Sequence, residues 1–235
     1  MNFAAGKRKS AMEIKICGIT NLEDALNAYA FGADALGFIF YTKSARHITP
    51  ETARYITDNL PRNIARVGVF VNHDIKAVRD IFEFCRLDLI QLHGDESPEY
   101  CCQFPESVLI KAFSPSNDND LNDIKKYPVK AILIDSRTAD LYGGTGKKSN
   151  WELASQMNAI RPLILSGGLN SDNILYAIET VVPHAVDVNS GVEASPRKKD
   201  PDKIKKAIEI VHGSKGRSPV TIFTRTFEHQ ENTKL

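Results

Sequence analysis

The sequence predicts a single-domain α/β protein closed into a (β/α)8 TIM barrel over residues 13–212. Three observations carry that expectation. Short apolar runs rich in β-branched residues alternate with amphipathic stretches along the whole span. The runs show no polar alternation, which marks strands buried on both faces, as in a parallel sheet. The alternation repeats eight times, and eight strand–helix units in order close into a barrel more readily than they form an open sheet.

The first strand is Glu13–Cys17, and Asn21 caps the helix behind it. Leu22, Ala25, Leu26, Tyr29 and Ala30 recur at i, i+3, i+4, i+7 and i+8, one helical face. The second strand is Asp34–Phe40, and its helix opens at Thr49-Pro50-Glu51, with proline in the first turn, where its missing N–H costs nothing. Ala65–Val71 is the third strand, and Ile75, Val78 and Phe82 stripe its helix. Leu87–Leu92 is the fourth, with a short helix from Ser97-Pro98-Glu99, and Val108–Phe113 the fifth, with a polar helix over Asp120–Lys126. The sixth, Ala131–Asp135, leads through a glycine-rich loop to a helix starting near Asn150-Trp151-Glu152. Leu163–Ser166 is the seventh, with a helix capped by Ser171 or Asp172 and carrying Ile174, Ile178 and Val182. Ala185–Val188 is the eighth, followed by a helix bearing Ile204, Ala207, Ile208 and Val211.

Residues 1–12 form an N-terminal extension and residues 213–235 a C-terminal tail. The tail is expected to be flexible or loosely docked, because termini are poorly ordered unless tied down. Within it, Val220–Thr224 has strand propensity but no obvious partner.

The composition, 42% hydrophobic and 25% charged over 235 residues, is ordinary for a globular chain and argues against disorder. A formal net charge of +1 provides no field to attract nucleic acid or an anionic membrane. No apolar run approaches the roughly 20 residues of a membrane span. The N-terminus has basic residues with no apolar stretch after them, so it does not read as a secretory signal. The cysteines are Cys17, Cys85, Cys101 and Cys102. They form no C-x-x-C pattern, and an adjacent pair cannot easily serve separate bridges, so a reducing, cytoplasmic setting is expected. Each is then an apolar packer or a reactive thiol.

In such barrels the active site lies at the C-terminal ends of the strands, and here those ends are polar. Gly143-Gly144-Thr145-Gly146, Ser166-Gly167-Gly168 and Ser190-Gly191 follow strands six, seven and eight. Glycine lets backbone amides approach an anion closely. One cluster could simply close a tight turn, but three on one rim point to a phosphate grip. The partner is therefore a small phosphorylated molecule, neither nucleic acid nor membrane, and monomer and homodimer both fit.

Cys17 ends the first strand beside Gly18 and faces the presumed site. It is either an inert packer or a proton-transfer group. Asp135 ends a wholly apolar strand, where burial would disfavour its charge and suit it to be a general acid. A thiolate facing a carboxylic acid across the mouth is a workable base–acid pair. Asp187 is a third functional carboxylate or an anchor for neighbouring backbone amides. Arg46, on the loop after strand two, could hold a substrate carboxylate or be a solvated surface arginine. His93 has no companions at metal-ligand spacing, so it reads as a hydrogen-bonded histidine lining the pocket.

Lys15-Ile16-Cys17-Gly18-Ile19-Thr20, Gly37-Phe38-Ile39-Phe40-Tyr41, Val67-Gly68-Val69-Phe70-Val71-Asn72 and Gln91-Leu92-His93-Gly94 resemble the phosphoribosylanthranilate isomerase family. So do Gly143–Lys147, Leu165–Leu169, and Val186-Asp187-Val188 followed by Ser190-Gly191-Val192-Glu193, all in order between about residues 13 and 212. The resemblance implies the third step from chorismate to tryptophan, an Amadori rearrangement of N-(5-phosphoribosyl)anthranilate. It implies that Asp135 protonates the ribose ring oxygen, that Cys17 then removes the C2 proton, and that Arg46 holds the anthranilate carboxylate. His93 and Asp187 would contact substrate, and Gly144, Thr145, Gly146, Ser166, Gly167, Gly168, Asn189, Ser190 and Gly191 would hold its phosphate. No metal, nucleotide or organic cofactor is implied, because the iminium intermediate is itself the electron sink.

The chain departs from the family pattern at Thr42, His47, Ser149, Asn150 and Asn189, none of which is Cys17 or Asp135. Two other phosphosugar barrels are alternatives. A ribulose-phosphate epimerase expects several metal-binding histidines, whereas the isomerase of histidine synthesis expects an aspartate where Cys17 stands. A catalytically silent binding barrel would be expected to have lost Cys17 or Asp135.

Overall fold

The computed structural model describes residues 12–114, 120–135, 150–214 and 220–223. Along these the elements run β1 (Glu13–Cys17), α1 (Leu22–Phe31), β2 (Ala35–Ile39), α2 (Pro50–Asp58), β3 (Ala65–Phe70) and α3 (Ile75–Phe84). There follow β4 (Leu89–Leu92), α4 (Pro98–Cys101), β5 (Leu109–Phe113), α5 (Asp120–Ile124), β6 (Ala131–Asp135) and α6 (Asn150–Met157). The chain continues through β7 (Leu163–Ser166), α7 (Ile174–Val181), β8 (Ala185–Val188), a short ribbon of β9 (Glu193–Ser195) and β10 (Lys198–Lys199), and α8 (Pro201–Gly213). Strands β1 to β8 pair in sequence order, all parallel, and β8 closes on β1. The expected (β/α)8 barrel is the fold.

Alternation along the strands sorts side chains into two layers. Ile14 and Ile16 of β1 join the large core between sheet and helices, leaving Glu13, Lys15 and Cys17 to face the barrel axis. The same alternation turns Ala35 and Gly37, Leu89 and Gln91, Leu133 and Asp135, and Ala185 and Asp187 inward. Register then sets neighbours: Cys17 lies beside Gly37, Lys15 beside Asp187, and Asp135 beside Ser166. Thus the sheet itself, rather than its loops, brings the candidate proton-transfer strands to one mouth.

The helix starts expected at Asn21, Thr49 and Ser97 are found, and Asp74 and Asp200 add two more. Asn21, Thr49, Asp74, Ser97 and Asp200 each accept a backbone N–H from the first turn of the helix they precede. The α7 start differs from expectation. Neither Ser171 nor Asp172 caps it; the Asn170 side chain accepts from Asp172 N and Asn173 N, and Asn173 is the helix boundary. An asparagine that bonds its own backbone two residues on builds a turn, which delays the helix. Val182, expected on the helix, is instead its left-handed C-cap, at φ 51°.

On α1 the buried face is centred on Asp24, Ala25 and Ala28, and Leu26 is 40% exposed. The reason is Asp24, which accepts the backbone N–H of Lys199 and a bond from Asn21 Nδ2 and so turns inward. Within the tail Val220–Phe223 forms no strand, and Ile222 and Phe223 are buried. Among the described residues no helix is long and apolar enough to cross a membrane.

Candidate active site

Cys17, 4% exposed, and Asp135, 8% exposed, end β1 and β6 at the C-terminal mouth of the barrel. Two glycines make room around the thiol. A Cβ on Gly37 would stand 2.6 Å from Cys17 Sγ and 3.2 Å from Lys15 Cε, so the thiol and the lysine stem crowd the same spot. A Cβ on Gly18 would stand 2.6 Å from Asn189 Oδ1 and 3.0 Å from Arg46 Cδ. Gly18 also has φ +75°, a conformation other residues adopt at a cost. It therefore lets Arg46 and Asn189 close in beside Cys17.

A chain of polar contacts crosses the mouth. Lys15, fully buried, donates from Nζ to Asp187 Oδ2 at 2.9 Å and to Gln91 Oε1. Because ammonium only donates, Gln91 must present its oxygen to Lys15 and its amide N–H to His93 Nδ1, at 2.9 Å. Burial lowers the His93 pKa, so the ring is neutral and carries its proton on Nε2, which points at Asp135 Oδ2 across 3.9 Å. The network assigns the tautomer. Asp187, Lys15, Gln91, His93 and Asp135 are thus linked in one line, with Cys17 beside the lysine.

The ionisation of this line follows from its burial. Desolvation works against the Lys15 charge, but Asp187 and the Cys17 sulfur beside it outweigh that, and the ammonium titrates above its ordinary value. Burial pushes the Cys17 thiol up to about 11; Lys15 and Lys199 pull it down, and Asp187 opposes them. Asp187 Oδ1 is buried with no hydrogen-bond partner among the described residues. Among the described residues Asp187 therefore anchors no backbone amide; it holds Lys15 with one oxygen and leaves the other as an acceptor.

Arg46 is not a solvated surface residue. It grips Glu193 bidentately, Nε to Oε1 at 2.8 Å and Nη2 to Oε2 at 2.6 Å. That bond raises the Arg46 pKa, and although burial opposes it, Arg46 and Lys199 together hold the Glu193 carboxyl below its usual range. Among the described residues only one edge of the guanidinium is used, which leaves Nη1 and the second Nη2 proton for another acceptor. Lys199, buried by the β9–β10 ribbon, reaches Glu193 at 3.2 Å and bonds both the carbonyl and the side chain of Asn189.

The glycine loops after β7 and β8 touch. A Cβ on Gly191 would lie 1.9 Å from the Leu169 carbonyl oxygen, so only glycine permits that approach. Gly167 and Gly168 have φ of 97° and 65°, and a Cβ on Gly168 would meet nothing within 4 Å, so this loop opens to free space. Ser190 is exposed, while Ser166 is buried beside Asp135. The third cluster, Gly143 with Gly144, Thr145 and Gly146, lies outside the described residues.

Four of these groups had no assigned role from sequence: Lys15, Gln91, Glu193 and Lys199. For the first two the signal was present, a lysine and a glutamine at inward positions of otherwise apolar strands. Among the described residues no group of three or more His, Cys, Asp or Glu side chains is placed to hold a metal ion.

The N-(5'-phosphoribosyl)anthranilate (PRA) isomerase family model matches residues 14–210. A relative from Syntrophus aciditrophicus named N-(5'-phosphoribosyl)anthranilate isomerase is 52% identical over 204 residues, 87% of this chain and 89% of that protein. The one from Thermotoga maritima is 48% identical over 86% of this chain and 99% of its own length. A crystal structure of the T. maritima enzyme superposes with a TM-score of 0.76 at 47% identity, over 86% of this chain and 100% of that one. A structure of the isomerase with reduced 1-(o-carboxyphenylamino)-1-deoxyribulose 5-phosphate has a TM-score of 0.75 at 44% identity, with the same coverage. A matched barrel, a matched order of motifs and relatives about half identical nearly end to end leave one assignment: the chain belongs to the N-(5'-phosphoribosyl)anthranilate isomerase family.

Proposed function

We propose that Asp135 and Cys17 are the general acid and general base of the family's reaction, the isomerisation of N-(5-phosphoribosyl)anthranilate to 1-(2-carboxyphenylamino)-1-deoxyribulose 5-phosphate. The carrying observation is the polar line that joins the neighbourhood of the buried thiol to the Asp135 carboxyl across one mouth. Asp135 gives its proton to the ribose ring oxygen as the C1–O bond breaks, and the anilino nitrogen pair forms the iminium. The Cys17 thiolate takes the C2 proton, the C–H pair becomes the C1–C2 double bond, and the iminium pair returns to nitrogen. The enolamine then tautomerises to the ketone.

A thiol held near 11 is a strong base that is rarely ionised at neutral pH. The site compensates in two ways. Lys15 sits beside the sulfur as a permanent cation, and ring opening places a second positive charge, the iminium, in the same low-dielectric mouth. The thiolate is thereby favoured at the step that needs it. The free edge of Arg46 takes the anthranilate carboxylate, Asp187 Oδ1 accepts from a substrate hydroxyl, and the loops at Ser166–Gly168 and Asn189–Gly191 take the phosphate.

The test is consumption of phosphoribosylanthranilate, generated in situ and followed by its fluorescence, with no metal added. Turnover is expected; none would remove this substrate. In the same assay Arg46→Ala raises KM by roughly 10- to 100-fold with kcat nearly unchanged, the loss of one charge-assisted pair. A fall in kcat alone would contradict the clamp.

The electrostatic assignment has its own readout, the rate of Cys17 alkylation in a Cys102→Ser background, since Cys102 is the exposed thiol. Lys15→Met slows alkylation near neutral pH by at least about tenfold, and Asp187→Asn speeds it by a similar factor, one pKa unit each way. The signs follow from removing a cation that favours thiolate and an anion that opposes it. Damage to packing would move both variants the same way, and that result would discard the assignment.

A further inference from the structure

We infer that the N-terminal base of the barrel is a pocket for an apolar peptide turn, filled by the chain's own Ile222 and Phe223. The strand starts there carry small side chains, Ala35, Ala65, Ala131 and Ala185, under a floor that includes Val67, Leu89, Ile110, Leu133 and Ile164. Such small residues leave a hollow at the base, and unfilled apolar hollows destabilise a close-packed interior. Ile222 and Phe223 join that cluster at 1% and 2% exposure, whereas Val220 and Thr221 are exposed. Among the described tail residues the burial falls on the two that reach the base.

Glu13 supplies the specificity. It is the first, inward-facing residue of β1, and it is buried, at 6% exposure. It accepts Ile222 N at 2.6 Å from Oε2, and Phe223 N at 3.1 Å from each oxygen. A buried carboxylate is costly without donors, and two successive backbone N–H groups are the donors a peptide turn offers. Lys130, just before β6, adds an opposite charge toward Glu13. Helix α8 returns the chain to this end of the barrel, so the tether is short. The family match stops at residue 210, so the plug is an addition to the shared barrel, and it closes the end opposite the active site.

The experiment compares melting temperature and turnover for five proteins: the full chain, the chain ended after Gly213, Phe223→Ala, and Glu13→Gln made in both lengths. Phe223→Ala lowers Tm by about 5–10 °C, the scale of an emptied aromatic site in a chain of this size, while turnover at room temperature is kept. Glu13→Gln lowers Tm in the full chain, but in the shortened chain the loss disappears or reverses, because the carboxylate there has no turn to bind. An unchanged Tm in Phe223→Ala, or the same Glu13→Gln shift in both lengths, would overturn the inference. So would a Tm that rises with protein concentration together with a dimer lost on shortening, which would place the segment in a second copy. If the shortened chain does not fold, coupling between Phe223→Ala and Glu13→Gln in the full chain decides the same point.

Discussion

Cys17→Ala is expected to lower kcat/KM for phosphoribosylanthranilate by at least about 10²-fold, the low end for removing a positioned base. The substitution is small enough to read as chemistry. It deletes one sulfur against Gly37, where the neighbouring Lys15 stem can relax, so folding should survive. The pH dependence is the sharper test. With the thiol raised to about 11, the ionised fraction falls about tenfold for each pH unit below that value. The rate of Cys17 alkylation in the Cys102→Ser background should therefore climb with pH through the neutral and mildly alkaline range, whereas wild-type kcat/KM should not climb with it, because the reacting form needs Asp135 protonated as well as Cys17 ionised. Turnover of Cys17→Ala within a few-fold of wild type would take Cys17 out of the mechanism, and an alkylation rate that stays flat over that range would overturn the raised thiol.

Lys15 shows why the strand ends were legible and the line between them was not. Cys17, Asp135 and Asp187 end apolar strands, and the barrel rule sends strand ends to the active face. Lys15 stands one layer below, inside the barrel, where an unpartnered cation would be excluded on solvation grounds. Its presence makes sense only once closure of β8 on β1 sets Asp187 beside it, a pairing of residues far apart in the chain. Gln91 needs the same closure to be read as the link between Lys15 and His93.

Glu193 and Arg46 make a parallel case. An arginine on a long loop carries no sign of its partner, and the grip arises because the β9–β10 ribbon folds back under it. Local signals were enough for the strand order and for the helix starts at Asn21, Thr49 and Ser97, since alternation and capping act over a few residues. They failed at Asn170, where two short polar side chains competed for one turn, and at Phe223, whose pocket is assembled from eight strands.

The second large effect is Asp135→Asn, with kcat expected to fall by at least about 10²-fold. The amide keeps the size and the contact with the β7 neighbour Ser166, but it has no acidic proton to give the ring oxygen. His93 cannot replace it. Gln91 holds its Nδ1, its proton on Nε2 belongs to a neutral ring, and burial keeps that ring from charging. Both single variants lose activity, so activity alone does not separate the roles of Asp135 and Cys17. Substrate deuterated at C2 does. In Cys17→Ala the C–H cleavage is slowed and a primary isotope effect on turnover is fully expressed. In Asp135→Asn ring opening limits, no bond to C2 hydrogen breaks in that step, and the isotope effect falls toward unity. Equal, large isotope effects in the two variants would assign Asp135 to proton removal rather than to ring opening, and the acid of the first step would have to be sought elsewhere on the mouth.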